Sequence, residues 1–226
     1  MKRSISESMI CKAISEISSL LAQGLTLGEG LELILSKICK LFDTDTGYIA
    51  MPEQEKNELH VHTTFGIDSE ALKKMRISLN KRLGLLAKTD TGYIIHDCVS
   101  DKRLEESLYS IYATEGIVSI MAVPMKFSNE HTGLLCVANR TYTLFSATDL
   151  ENLITLINHV SSEINRFYGP NAWKGDRKLR RRGGPGYGGP LPIRFFPGLP
   201  DPVSLIINSG SYLCRLLNRL IKMKKH

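Results

Sequence analysis

Five cysteines, Cys11, Cys39, Cys98, Cys136 and Cys214, are the side chains in this sequence best suited to covalent or redox chemistry. A thiol attacks only as thiolate, and a redox cycle also needs a resolving thiol within reach. Cys98 lies in a loop region where a thiol could act. Cys136 falls inside an apolar run, and Cys11 and Cys39 lie on or beside apolar helical stripes, the ordinary setting of a buried cysteine. The number is odd, no CxxC pair occurs and no histidine stands at zinc-ligand spacing, so neither a disulfide framework nor a structural metal is expected. His60 and His62 alternate onto one face of a strand, and such a pair can hold a metal. Without carboxylate or cysteine partners at matched spacing they read as a solvated strand face. No catalytic residue and no metal ligand is assigned from the sequence, and the cofactor is left unknown.

The second chemically suggestive group is basic. Arg177, Lys178, Arg180, Arg181 and Arg182 could contact the phosphates of nucleic acid or an acidic membrane through counterion release. No reader motif accompanies them, and a solvated run is the simpler account. The chain's net charge of +6 resolves into two parts: residues 169–226 carry 12 Lys and Arg against 2 Asp, a net of +10, which leaves residues 1–168 at −4. Seven of nine prolines and nine of eighteen glycines also follow residue 168, a composition break that marks a domain edge. The expected division is a sensory domain over 1–168, a Gly/Pro/Arg-rich disordered linker over 169–202, and a short basic amphipathic helix or disordered tail over 203–226. Translation in an altered reading frame would produce the same break. With 42% hydrophobic residues, no 18-residue apolar stretch and no secretory leader, a cytoplasmic location is expected.

The elements that position the front-domain residues follow from periodicity. Met9, Ile10, Ala13, Ile14, Ile17, Leu20 and Leu21 recur at helical spacing up to Gly24. Thr26 caps a second helix carrying Leu31, Ile34, Leu35, Ile38, Leu41 and Phe42. Residues 47–51 and 58–65 form β-rich runs around the polar turn PEQEKN. A polar helix-favouring stretch runs from Ser69 to Met75, another from Leu83 to Lys88, and Tyr93 to Asp97 restores strand character. A short helix is expected over 101–115. Residues 118–127 and 132–140 make a second hairpin around SNEH, and Ser146 caps a long final helix with Asp149 in its first turn. The expectation is an α+β fold: a central antiparallel sheet of about five strands flanked by N- and C-terminal helices.

Three segments sharpen this order: Gly92-Tyr-Ile-Ile-His-Asp97, Glu115-Gly-Ile-Val-Ser-Ile-Met-Ala-Val-Pro124, and Gly133-Leu-Leu-Cys-Val-Ala-Asn-Arg140 followed by Phe145-Ser-Ala-Thr-Asp149. Together with the element order they resemble GAF domains, most of all those ahead of DNA-binding or histidine-kinase output domains in bacterial regulators, over residues 10–168. The resemblance implies a small-molecule pocket between one sheet face and the loops and short helices crossing it. The positions carried over are the strand residues Ile49, Met51, Tyr93, Ile95, Met121, Val123, Cys136 and Ala138. Polar candidates at the mouth are His96, Asp97, Tyr109, Tyr112, Glu115 and Ser119. About half of the strand residues must point away. Asn139, Arg140, Phe145 and Asp149 partly match the N-K-F-D-E signature of cyclic-nucleotide-binding members, with Arg for Lys and Leu150 for Glu. An Arg140–Asp149 salt bridge pinning the intervening connection, with Phe145 packed beneath, gives Arg140, Phe145 and Asp149 a structural role.

The resemblance thus implies a sensory or protein-interaction module for signal transduction and transcription regulation, not an enzyme. Its unidentified small-molecule ligand alters the packing of the first and last helices, which also pair in a homodimer and signal to an output protein. The alternatives are a free methionine sulfoxide reductase using Cys98 and a nucleic-acid-binding regulator acting through the basic tail. Haem ligation by His96 or His131 is a further property of some members of that family, and no bilin-attachment cysteine is identifiable.

Overall fold

In the computed structural model, which describes residues 5–53, 56–102, 104, 106–127 and 132–169, the chain opens with two amphipathic helices. Helix α1 (Glu7–Leu21) starts where the Ser6 side chain accepts the Met9 N–H. Helix α2 (Leu27–Phe42) begins with a reciprocal box between Thr26 and Glu29 and stops where Asp43 turns left-handed at φ 53°. Both bury one apolar stripe, Ile10, Ile17 and Leu21 on α1 and Leu31, Ile34, Leu35 and Ile38 on α2. Full burial of such a side chain stabilises by about 1.5–3 kcal/mol before the cost of ordering it.

Strands β1 (Thr46–Pro52) and β2 (Glu58–Phe65) follow, then helix α3 (Glu70–Lys73), strand β3 (Arg76–Ser78), helix α4 (Arg82–Leu85) and a 3-10 turn at Leu86–Lys88. Strand β4 (Tyr93–Ile95), helix α5 (Glu106–Glu115), strands β5 (Ser119–Lys126) and β6 (Thr132–Asn139) and helix α6 (Ala147–Tyr168) complete the fold. The sheet has six strands in the order β3-β2-β1-β6-β5-β4, each antiparallel to its neighbours. The sixth strand is β3, which adds Arg76–Ser78 to the edge beside His60–Glu58. Three residues are too few to show an alternation in the sequence, and the expectation of about five strands is corrected to six. The expected helix over 101–115 is shorter than its stretch, beginning at Glu106.

Two cores lie on opposite faces of the sheet. On one, Ile49, Met51, Met121, Val123, Leu135 and Val137 pack against α1, α2 and α6. On the other, Tyr48, Ala50, Ile120, Ala122, Cys136 and Ala138 meet the short elements α3, α4 and α5 and the connecting loops. The two-layer covering is why β5 and β6 are buried along almost their whole length. Within β1 and β2 the register slips between Ile49 and Ala50: Ile49 faces Thr63 and Ala50 faces Val61, which leaves His62 as the extra residue of a bulge. The expected linker at 169–202, from residue 170 on, and the basic helix or tail at 203–226 lie outside the described residues, as do Cys214 and His131.

Candidate functional site

The face covered by α5 is built from side chains of alternate strand positions. Tyr48 stands on β1, Ala122 on β5 and Cys136 on β6; Tyr48 and Ala122 are both register partners of Cys136. Helix α5 lowers Leu108 and Tyr112, four residues apart on one helical face, onto this layer. The hydroxyls of Tyr48 and Tyr112 meet at 2.6 Å, and both residues are almost wholly buried, at 1% and 0% exposure. Cys136 and Cys98 belong to the same buried layer, near enough for their thiols to act electrostatically on the tyrosine hydroxyls. This is a four-residue polar island within an otherwise apolar layer.

Its electrostatics are those of desolvation. Burial pushes both tyrosine hydroxyls well above their ordinary value. Burial likewise pushes the Cys136 thiol up to about 12, with Cys98 adding to the rise. Cys98 is raised to about 12 by burial and by the negative charges of Asp97 and Asp101. Cys39, on the other side of the sheet, is raised to about 11 by burial, and its thiol points at the Thr46 carbonyl at 3.6 Å. All three thiols stay protonated at neutral pH, the state that hydrogen-bonds and packs rather than attacks.

The carried-over residues divide between the two faces. Tyr93, Ile95, Cys136 and Ala138 belong to the layer beneath α5, as does Tyr112. Ile49, Met51, Met121 and Val123 lie on the opposite face, the half of the set that points away from α5, where they form the floor under α1, α2 and α6. The residues that actually share the face with Cys136 include Tyr48, Ala50, Ile120 and Ala122, each one position from a residue named in the sequence reading. Tyr109 is half-buried on α5 and stands apart from this cluster.

The polar candidates serve the frame. Asp97 accepts the Val99 N–H and the Ser100 hydroxyl in a local turn. A His96 ring nitrogen meets the Phe145 carbonyl at 3.0 Å, and the Ser119 hydroxyl donates to the His96 carbonyl at 2.6 Å while accepting the Thr143 N–H at 2.9 Å. Asn139, 5% exposed, accepts the Asp45 N–H and donates to Thr143. These bonds fasten the Thr141–Phe145 connection to the ends of β4 and β5, and Phe145 is buried in the helix-side core.

Arg140 does not bridge to Asp149. Its guanidinium donates to the Glu115 carboxylate and to the Gly66 carbonyl, each at 2.8 Å, and to the Glu115 carbonyl at 3.1 Å. Glu115 in turn accepts the Asp68 and Ser69 N–H groups. Asp149 accepts the Ser146 N–H and completes the α6 capping box. A short acidic side chain in the first turn of a helix satisfies that helix's own N-terminal donors, so Asp149 is engaged at Ser146 and Arg140 pairs with Glu115. The correction therefore exchanges the partner and leaves Arg140 in a structural role. Glu115 and Arg140 together lock the β2–α3 loop, the end of α5 and the end of β6.

Among the described residues no three His, Cys, Asp or Glu side chains are grouped to hold a metal, and no helix is long and apolar enough to cross a membrane. His60 and His62 do share a neighbourhood, with ring centroids 6.2 Å apart.

A sequence model of the GAF domain matches residues 26–164. The chain is 23% identical over 158 residues to a Nif-specific regulatory protein of Herbaspirillum seropedicae, a match covering 69% of this chain and 29% of that protein. The chain therefore spans under a third of that relative. Among solved structures, the GAF domain of a phosphoenolpyruvate-protein phosphotransferase from Coxiella burnetii superposes with a TM-score of 0.60 at 18% identity, covering 76% of this chain and 99% of that one. Free methionine-R-sulfoxide reductase from Neisseria meningitidis, in complex with its substrate, gives 0.58 at 14% identity, covering 73% and 94%. At these identities the structural likenesses speak for the fold.

Proposed function

The chain belongs to the GAF domain family, a family of signal-sensing regulatory domains, and from that membership we propose that it senses a small molecule on the sheet face beneath α5 and passes the event to an output partner. The observation that supports this placement is the Tyr48–Tyr112 hydroxyl pair with Cys136 beside it. Hydroxyls cost free energy in an apolar layer and are retained there only with partners. A ligand carrying one donor and one acceptor would exchange the mutual tyrosine bond for two bonds to itself and lift α5 from the sheet. Tyr93, Ile95, Cys136 and Ala138 are the strand positions of the notional pocket, with Tyr112 at its roof. His96, Asp97, Glu115 and Ser119 hold its rim in place.

Sensing without turnover is the accompanying reading. The raised thiols of Cys98 and Cys136 support it, because a reductase cycle starts from a thiolate. The domain is read as acting in a homodimer paired through its first and last helices, in a cytoplasmic regulator of transcription, as the likeness to the Nif-specific regulatory protein suggests.

The test is native mass spectrometry of the full chain purified without denaturation, followed by a thermal-shift screen of metabolites and nucleotides. A retained or stabilising compound whose effect is lost in Tyr112→Phe is expected. Stabilisation that survives Tyr112→Phe and Cys136→Ala would place the ligand elsewhere. Turnover of free methionine sulfoxide, lost in Cys98→Ser, would replace sensing by catalysis. Size-exclusion chromatography with light scattering decides the dimer: a monomer mass at all concentrations refutes it.

A further inference from the structure

Three helix ends meet at Gly30. Its neighbours there are Leu21, the last residue of α1, and Tyr168, the last residue of α6. A Cβ built on Gly30 would stand 2.7 Å from the Tyr168 hydroxyl and 3.1 Å from a Leu21 methyl group, so the side chain the glycine lacks is the notch into which the tyrosine fits. The hydroxyl donates to the Thr26 carbonyl at 3.2 Å, the same oxygen that accepts the Gly30 N–H at 2.9 Å in the first helical bond of α2. Burial and the negative charge of Glu29 raise the Tyr168 hydroxyl above its ordinary value, so at neutral pH it keeps the proton it donates.

Tyr168 is also the last hold that α6 has on the rest of the domain. Val160, Ile164 and Tyr168 stand at i, i+4 and i+8 and continue one stripe, and Ile164, at 2% exposure, is the final fully packed side chain of the helix. Past it, Arg166 and Phe167 face water. Their contacts are local: Arg166 pairs with Glu163 at 2.8 Å within its own helix and lies 4.5 Å over the Phe167 ring. Among the described residues, the Tyr168–Thr26 bond is the only hydrogen bond from the last turn of α6 to another element. The closed arrangement also carries a cost. Ser161, Asn165 and Tyr168 share a helical face at i, i+4 and i+7, and Ser161 Oγ and Asn165 Oδ1 are buried there with no hydrogen-bond partner. Opening the last turn returns Asn165 to water and gives up one neutral hydrogen bond and the contacts of a half-buried phenol ring. Terms of similar size and opposite sign make a two-state element. Gly169 follows at φ 77° and ends the helix. The stretch that matches the family's sequence model stops at residue 164, so this turn lies outside the family pattern.

We propose that the last turn of α6, residues 165–169, is a clasp that opens and closes on α2 as a unit, with Tyr168 as its tongue and Gly30 as its notch. Helix α6 carries the chain out of the domain, so the two positions of the clasp give that exit two directions. The device stands whether or not the face beneath α5 takes a ligand.

Hydrogen exchange of the full chain, followed by mass spectrometry, reads the clasp at the amides of residues 166–169. They are expected to exchange faster than those of residues 153–164, through an opening that leaves the sheet protected. Tyr168→Phe keeps the ring and loses the bond, and should speed exchange in the last turn roughly three- to tenfold. Gly30→Ala, a change on the other helix, should speed it at least as much by displacing the phenol, and should add nothing in that turn to Tyr168→Ala. Asn165→Leu should slow it, and by more than the same substitution at the exposed Asn158 does, because the closed turn then buries no dry amide. A helix end that merely frays is indifferent to a methyl group on α2, so unchanged exchange at residues 166–169 in Gly30→Ala and Tyr168→Phe overturns the clasp. Faster exchange in Asn165→Leu overturns it as well. Should Gly30→Ala unfold the domain, seen as lost protection in β6, Tyr168→Phe and Asn165→Leu decide.

Discussion

Arg140→Ala removes three hydrogen bonds at once, two of them at 2.8 Å, and strands the Glu115 carboxylate, whose side chain is 5% exposed. Removing one partner of a fully buried ion pair costs about 3–5 kcal/mol, mostly as the penalty of an uncompensated charge. Two features reduce that figure. The arginine side chain is 37% exposed, so water replaces part of it, and Glu115 keeps the Asp68 and Ser69 N–H groups. A cost of about 2 kcal/mol follows, which for a domain of this size lowers Tm by roughly 4–8 °C. Asp149→Ala loses the capping box, a change of about 1 kcal/mol. Urea denaturation followed by circular dichroism reads both, and the two losses should add in the double variant because Arg140 bonds Glu115 while Asp149 bonds Ser146. Arg140→Ala and Glu115→Gln should instead be strongly non-additive. An Arg140→Ala loss under about 0.5 kcal/mol, or coupling to Asp149 in place of Glu115, refutes the assignment.

Three further outcomes test the interior. Cys39 and Cys136 titrate near 11 and 12 in the folded chain against an ordinary 9, so above pH 9 the unfolded chain releases protons that the folded chain retains. Stability is then fully present below pH 9 and falls as pH rises toward 11, by about 1.4 kcal/mol per pH unit for each thiol; urea midpoints at pH 8 and 10 should show this slope reduced in Cys136→Ala. Tyr48→Phe leaves the Tyr112 hydroxyl without its partner and should cost about 1–3 kcal/mol, much of it recovered in the Tyr48→Phe/Tyr112→Phe double variant; thermal melts that show simple addition would count against the pair. A Cβ on Gly133 would sit 2.1 Å from the Ala50 carbonyl oxygen and force β1 and β6 apart, whereas a Cβ on Gly28 meets nothing within 4 Å. Gly133→Ala should therefore lose soluble protein on expression, and Gly28→Ala should raise the unfolding free energy from urea melts by up to about 1 kcal/mol.

The element order was legible because its signals are local. Ser6, Thr26 and Ser146 cap helices at the positions their types suggest, and the apolar stripe of α2 is the buried one. The sheet's two faces were not legible, for a physical reason. Strands covered on both sides need no polar alternation: β1 is buried from Thr46 to Met51, so its sequence carries no mark of which residues face α2 and which face α5. Ile49 and Met51 differ from Tyr48 and Ala50 by one residue of phase, and that step exchanges one face for the other. Tyrosine carried the available clue, since a hydroxyl in a buried strand must find a polar partner, and α5 supplies one in Tyr112. The Arg140–Glu115 pair spans 25 residues, with β5 and β6 between them, while Asp149 lies nine residues on. Proximity in sequence favoured the wrong carboxylate.

The same correction changes how the two layers can be coupled. An Arg140–Asp149 bridge would tie the end of β6 only to the helix that follows it. The bonds present tie that end to the roof of the opposite face: Arg140 grips the last residue of α5, and the loop leading toward α5 is held to the α6 connection through His96 and Ser119. Strand β6 itself presents Cys136 and Ala138 to one face and Leu135 and Val137 to the other. Close-packed interiors respond to displacement by repacking rather than by absorbing it. A molecule that separates Tyr112 from Tyr48 must move α5, and α5 cannot tilt without loading the Arg140 lock and the His96–Phe145 contact, the second of which lies one residue before the α6 cap at Ser146. Under the proposed sensing, the signature from Asn139 to Asp149 serves as the mechanical joint of the domain, joining the end of β6 to α5 and to the α6 connection.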